Sequence, residues 1–207
     1  MALRFSALLA ALLAISADSS GQTSLGIAYK YSKITQPGWI NISPNSINNS
    51  NVIVGSYESP DSPHGFILSK GQVTTLDYPG ADYTELTGIN DNGVIVGHFN
   101  TGGADDHGFI DRNGAITTLN FPGEVGFGGT TLSDISDNGQ IIGFVWTGSD
   151  TRQAFVFTNG QFKTFSVPNS RLTLPNGISS LGVMVGHTIL VSSSGSETDA
   201  AFTATCH

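Results

Sequence analysis

The chain has 207 residues, with 8 Lys and Arg against 16 Asp and Glu, for a formal charge of −8. That balance would repel nucleic acid and anionic lipid, and no basic cluster reverses it locally, so neither is an expected partner. Glycine is high at 26 residues and charged residues are low at 12%, yet the apolar residues are alternated and spaced as in a folding chain rather than a disordered one.

The amino terminus has the layout of a secretory signal peptide over residues 1–20. Met1 to Arg4 gives a short positive start, residues 5–15 are apolar or small apart from Ser6, and residues 16–20 form a small, polar exit. The apolar run is short for a membrane span. Cleavage between Asp18 and Ser24 would leave an exported, soluble product. Residues 25–37 then read as one strand or two, ending in the Lys33-Ile34-Thr35-Gln36-Pro37-Gly38 segment.

Beyond this the chain repeats itself. The segment Gly-Ile-Asn-Asp-Asn-Gly-Val-Ile-Val-Gly at residues 88–97 recurs with drift at 47–55, 135–143 and 178–186, and its closing glycines, Gly55, Gly97, Gly143 and Gly186, are 42, 46 and 43 residues apart. Such a period marks a repeat architecture. After each glycine come polar residues and then His64-Gly65-Phe66, His107-Gly108-Phe109, Ala154-Phe155 or Ala201-Phe202. Three units continue to Leu76-Asp77-Tyr78-Pro79-Gly80, Leu119-Asn120-Phe121-Pro122-Gly123, and Phe165-Ser166-Val167-Pro168.

In the second unit, residues 83–89, 94–99, 107–112 and 115–121 are β-branched and aromatic runs of strand length. Asn92-Gly93, Asn113-Gly114, Asn138-Gly139 and Asn159-Gly160 fall between such runs and accept the positive φ of a tight hairpin. The Pro-Gly pairs end each meander. A glycine at the close of each Val-Ile-Val-Gly strand suggests a place where backbones crowd.

The expected fold is all-β: a β-propeller of four-stranded antiparallel blades over residues 39–79, 83–122, 127–168 and 172–207. The last lacks its fourth strand, which residues 27–37 would supply, closing a four-bladed ring. An open array that dimerises through its ends is the alternative, because the ends of a repeat stack need capping.

The Ile-Asn-Asp-Asn-Gly segment at 89–93, followed by His107-Gly108-Phe109, resembles the extracellular HAF repeat family, named for a His-Ala-Phe triplet. The resemblance runs from about Ile27 to Phe202. It implies export, β-rich repeats and a propeller-like body in a secreted bacterial protein, with no assigned enzyme activity or functional residues. The third and fourth units depart from it, with Gln153 and Ala200 where the histidine would stand.

Candidate chemistry is sparse. His64 and His107 occupy equivalent points and could form part of a ring around a ligand, or each could order a loop ahead of a packing phenylalanine. Two histidines fall short of a four-ligand metal site. Asp91 and Asp137 could bind calcium with help from Asp82, Asp105 and Asp106, but each turn offers one aspartate and hairpin chemistry accounts for it. Residues 177–182 fail the spacing of a nucleophile elbow. Glu58, Asp61, Glu85 and Glu124 read as loop carboxylates whose pairing a sequence cannot show.

Tyr57 and Trp146, at equivalent places, are the aromatic candidates for stacking on a sugar or peptide, against a packing role between units. The lone Cys206 could link two chains or be a spare thiol. The ligand-binding candidates are thus Tyr57, His64, His107 and Trp146, with no catalytic or metal residue named. The expected function is a non-enzymatic extracellular binder of glycan or protein, monomeric unless it dimerises. A polysaccharide hydrolase or lyase and a self-associating surface protein are the alternatives.

Overall fold

The structure is a computed structural model that describes residues 15–17, 23–25, 31–103, 105–123 and 128–205. Most of the expected signal peptide, Glu124 and Cys206 lie outside these residues. The chain divides into two compact units, Met1–Ile34 and Thr35–His207. In the first, β1 (Ile15–Ala17) pairs antiparallel with β2 (Thr23–Leu25).

The second unit is all-β and carries the repeats. Strands β3 (Ile40–Ile47), β4 (Ile53–Glu58), β5 (Pro63–Ser69) and β6 (Gln72–Thr75) form one antiparallel sheet in chain order. Strands β7 (Tyr83–Ile89), β8 (Val94–Asn100), β9 (His107–Arg112) and β10 (Ala115–Thr118) form the next. The third repeat supplies β11 (Thr130–Ile135), β12 (Ile141–Trp146), β13 (Arg152–Thr158) and β14 (Gln161–Phe165). The fourth supplies β15 (Ser170–Ile178), β16 (Val183–Val191) and β17 (Glu197–Thr205).

Where the sequence suggests four separate sheets, the third and fourth repeats share one. A single parallel pair, Arg152 with Leu172, joins β13 to β15 and makes a mixed seven-stranded sheet. The link forms because β15 begins straight after the Pro168-Asn169 turn, so its first residues run beside the start of β13. Residues 31–37, the described part of the strand expected to complete the fourth repeat, form no strand, and β17 is an edge within this sheet.

Glycine and phenylalanine explain one another. Gly55, Gly97, Gly143 and Gly186 are the direct cross-strand partners of Phe66, Phe109, Phe155 and Phe202. A Cβ at Gly97 would lie 2.1 Å from the Glu85 carbonyl oxygen and 2.9 Å from the Phe109 ring. The ring lies over the glycine, so a side chain there would displace both backbone and core.

The hairpins are of two kinds. Lys70-Gly71, Asn113-Gly114 and Asn159-Gly160 have both residues at positive φ, the tight two-residue turn that matches strand twist. At Asn92-Gly93 and Asn138-Gly139 only the glycine is left-handed. These belong to longer turns closed by Gly93 N–H to the Asn90 carbonyl and Gly139 N–H to the Ser136 carbonyl. The preceding side chain holds the loop: Asn90 Oδ1 accepts the N–H groups of Asn92 and Val94.

Consecutive repeats pack face to face, β4 and β5 on β7, β8 and β9 on β11, and β12 and β13 on β15. The first seam seals Val54, Leu86, Ile89, Ile95, Phe99 and Phe109, and the second Val96, Ile110, Leu132, Ile135, Ile141 and Phe155. Tails are pinned as well: Thr84, Thr130 and Thr173, all buried, accept the N–H groups of Tyr78, Phe121 and Val167 from the repeat before.

Candidate functional site

The first strand of every repeat carries a β-bulge at the same place. The register slips between Pro44 and Ser46, Leu86 and Gly88, Leu132 and Asp134, and Pro175 and Gly177. Each slip leaves one extra residue, Asn45, Thr87, Ser133 and Asn176, and all four are polar. A bulge re-aims its side chain. Here the four line one cavity of about 260 Å³ together with Glu85, Thr131 and Leu132. Every repeat thus contributes a hydrogen-bonding group to a single space.

Among the described residues Glu85 is the one carboxylate lining that cavity, and both of its oxygens accept hydrogen bonds. Asn45 Nδ2 donates to Oε1 at 2.9 Å, and the Tyr83 hydroxyl donates to Oε2 in a short bond. His98 Nε2 lies 3.2 Å from the Tyr83 oxygen and 3.8 Å from Glu85 Oε2. With its only proton given to Glu85, the Tyr83 oxygen can only accept, so Nε2 of a neutral His98 carries the proton. Nδ1 of His98 is then a bare acceptor, buried without a protein partner among the described residues.

The electrostatics agree with this order of donors. Burial pushes the Tyr83 phenol well above its ordinary range, and the Glu85 bond adds to it, so the hydroxyl stays protonated. Burial lowers the His98 imidazole, against the opposing pull of the Glu85 and Asp106 charges. A neutral His98, a neutral Tyr83 and a fixed carboxylate form a chain that ends at the cavity. Of the bulge residues beside it, Asn45 has given its amide protons to Glu85 and the Leu86 carbonyl and Thr87 its proton to the Leu132 carbonyl, so these two offer acceptors, while Ser133 and Asn176 can donate or accept.

A second cavity of about 210 Å³ lies further along the same strands, lined by Asn48, Asn49, Asp91, Asp134, Ser136, Asp137 and Ser180 among others. Its carboxylates are engaged in joining repeats. Asp91 accepts from the Asn49 backbone and amide, Asp137 from the Asp91 N–H, and Asp134 from the N–H groups of Ile135 and Ile178. Burial raises the Asp134 carboxyl, against those two bonds. Among the described residues no cluster of three His, Cys, Asp or Glu groups gathers as a metal site. Asp105 is also engaged, accepting the Gly128 N–H.

The four residues singled out from sequence do not come together here. Tyr57 is buried, 7% exposed, with its ring stacked on Trp39 at 3.7 Å and its hydroxyl on Thr75. His64 sits between Asp77, 2.8 Å from Nδ1, and the Ser59 and Ser62 hydroxyls at Nε2, and so orders the loop it borders. His107 meets the Asn120 amide at 2.9 Å. Trp146 is half-buried beneath the Arg152 guanidinium, 3.7 Å from the ring centroid.

Glu85 lies in the middle of β7, on the strand expected over 83–89 and not in a loop as its reading as a loop carboxylate supposed. Tyr83, His98 and the bulge residues escaped sequence reasoning. Departure from the repeat could have pointed to Glu85, since Ser43, Thr131 and Leu174 hold its place opposite Ser56, Phe144 and His187 in the other repeats. Comparison with protein-family models and with curated proteins finds no match, which leaves the functional conclusion to geometry.

Proposed function

We propose that the chain is a secreted, non-enzymatic binding module of the HAF-repeat kind, its repeats set around one axis as the blades of a propeller left open between the fourth and the first, that holds a hydroxyl-rich end of a glycan. The observation that supports this most is the cavity to which each repeat lends one polar bulge residue, with the pre-set carboxylate of Glu85 at its wall. Amides, hydroxyls and a fixed carboxylate match the alternating donors and acceptors of a sugar. Rigid placement lowers the ordering cost of binding.

A single carboxylate in the lining among the described residues favours holding over cleaving, because glycoside hydrolysis of the usual kind uses two across the bond. The blade arrangement draws support from the face-to-face seams and from four first strands around common cavities. The test is calorimetric titration with a panel of neutral and amino sugars and their oligomers. One member should bind, and Glu85→Gln and Asn176→Ala should each weaken it by tenfold or more, about 1.4 kcal/mol, the Asn176 variant with unchanged melting. A panel without a binder, or variants that bind as the parent does, overturns the assignment.

A further inference from the structure

Every seam in the array joins a forward face to a backward face, and the two ends of the array show one of each uncovered. Val54, Val96 and Ile142 hold the same forward position, one residue before the strand glycine, and each is 0% exposed beneath the repeat that follows. Val185 holds that position in the fourth repeat and is 50% exposed, with Val183 beside it at 40%. On the backward side Ile89 and Ile135 are 6% and 5% exposed, whereas Ile47, their equivalent in the first repeat, is 58% exposed.

The same apolar position is therefore sealed three times within the array and open at its end. We infer that these end faces dock with a second copy of this chain, the forward face of its fourth repeat on the backward face of the first repeat of another. Exposed apolar faces of this kind mark interaction sites. The occupant each face is shaped to meet is a unit of this same repeat, since three seams inside the molecule already join such faces. The docking continues the stack.

The contact is weaker than the internal seams. Thr203 stands where Ile67, Ile110 and Val156 stand in the other repeats, so the fourth forward face presents less apolar area. It is a reversible association, concentration-dependent in the accessible range. Because the two faces differ, the contact is head to tail and yields rings or short filaments according to whether it closes.

Sedimentation velocity of the purified chain across its soluble concentration range tests this. The parent should grow in mass with concentration, while Val185→Asp and Ile47→Asp, both at exposed positions, should remain monomers with parental melting. Mixing the two variants should restore dimers and nothing larger, because each keeps the face the other has lost. A parent that stays monomeric throughout overturns the inference. So does a melting loss in either variant without a change in assembly, which would show that the chain covers these faces itself.

Discussion

At the scale of residues, the Glu85, Tyr83 and His98 chain shows how a repeat departs from its own pattern and what that costs. Burying an imidazole with an orphan acceptor is unfavourable, and the pH response should reveal it. His98 has a folded pKa below its ordinary 6.5 because burial penalises the charged ring. The unfolded chain therefore binds more protons in the window below about 6.5, and stability rises with pH through that window. The His98 contribution should be complete above pH 6.5 and lost as the pH falls toward the folded value. Urea melts at a series of pH values should show this decline, and His98→Gln should flatten that part of it. A parent and variant with parallel profiles would place the decline elsewhere.

At the scale of elements, the longer hairpins staple one repeat to the next, and one asparagine in each of the first two both closes its own turn and crosses the seam. Asn48 Nδ2 donates to the Asn90 carbonyl and Asn90 Nδ2 to the Ser136 carbonyl, while each Oδ1 closes its own turn. Where Ser136 and Ser179 stand instead, the hydroxyl still accepts the turn N–H of Gln140 and Val183, but the reach across the seam is gone. Asn138 Nδ2 on the Ser180 carbonyl makes the crossing there. Asn90→Ser should thus keep the turn and lose the staple, at about 1 kcal/mol, whereas Asn90→Ala should lose both, at about 2–3 kcal/mol. Equilibrium denaturation ranks the two: an Asn90→Ser variant as stable as the parent would mean that the cross-seam bond contributes nothing, and equal losses that the turn bonds contribute nothing.

Much of this level was legible in the sequence. The strands of the second repeat, the crowded Gly97 within β8 and the turn at Asn113-Gly114 all follow from residue type and spacing. The short fourth strands did not, because Asp77 and Asn120 take the N–H groups of Gly65 and Gly108 by side chain. That substitution for a sheet ladder depends on a return of the chain that spacing does not encode. The cavity was hidden for a related reason. A bulge is one unpaired residue in a strand pair, and Asn45, Thr87, Ser133 and Asn176 share only polarity, so nothing marks them until the register is seen.

At the scale of the whole molecule, a stack of repeats is stabilised by its seams, and these seams are unequal. The second seals Val96, Ile110, Leu132, Ile135, Ile141 and Phe155, with Phe121, Phe157 and Phe162 packed on them. The third seals Ile142, Val156 and Met184 among the described residues, with Phe165, Ile178 and Ala204 at its edge. Apolar burial contributes about 25 cal/mol per Å², so the poorer seam holds the fourth repeat less firmly. Its outer face is uncovered as well, as Val183 and Val185 show. In a nearly one-dimensional array the end with the weaker interface opens first. Amide hydrogen exchange should therefore be fastest in β15, β16 and β17, and slowest in β8, β9 and β12, which lie between two sealed seams. If the fourth repeat also docks a second copy, raising the protein concentration should slow exchange in β16 and leave β8 unchanged. Uniform protection from β3 to β17 would instead mean that the second unit unfolds as one cooperative body, its seams too strongly coupled to be read one at a time.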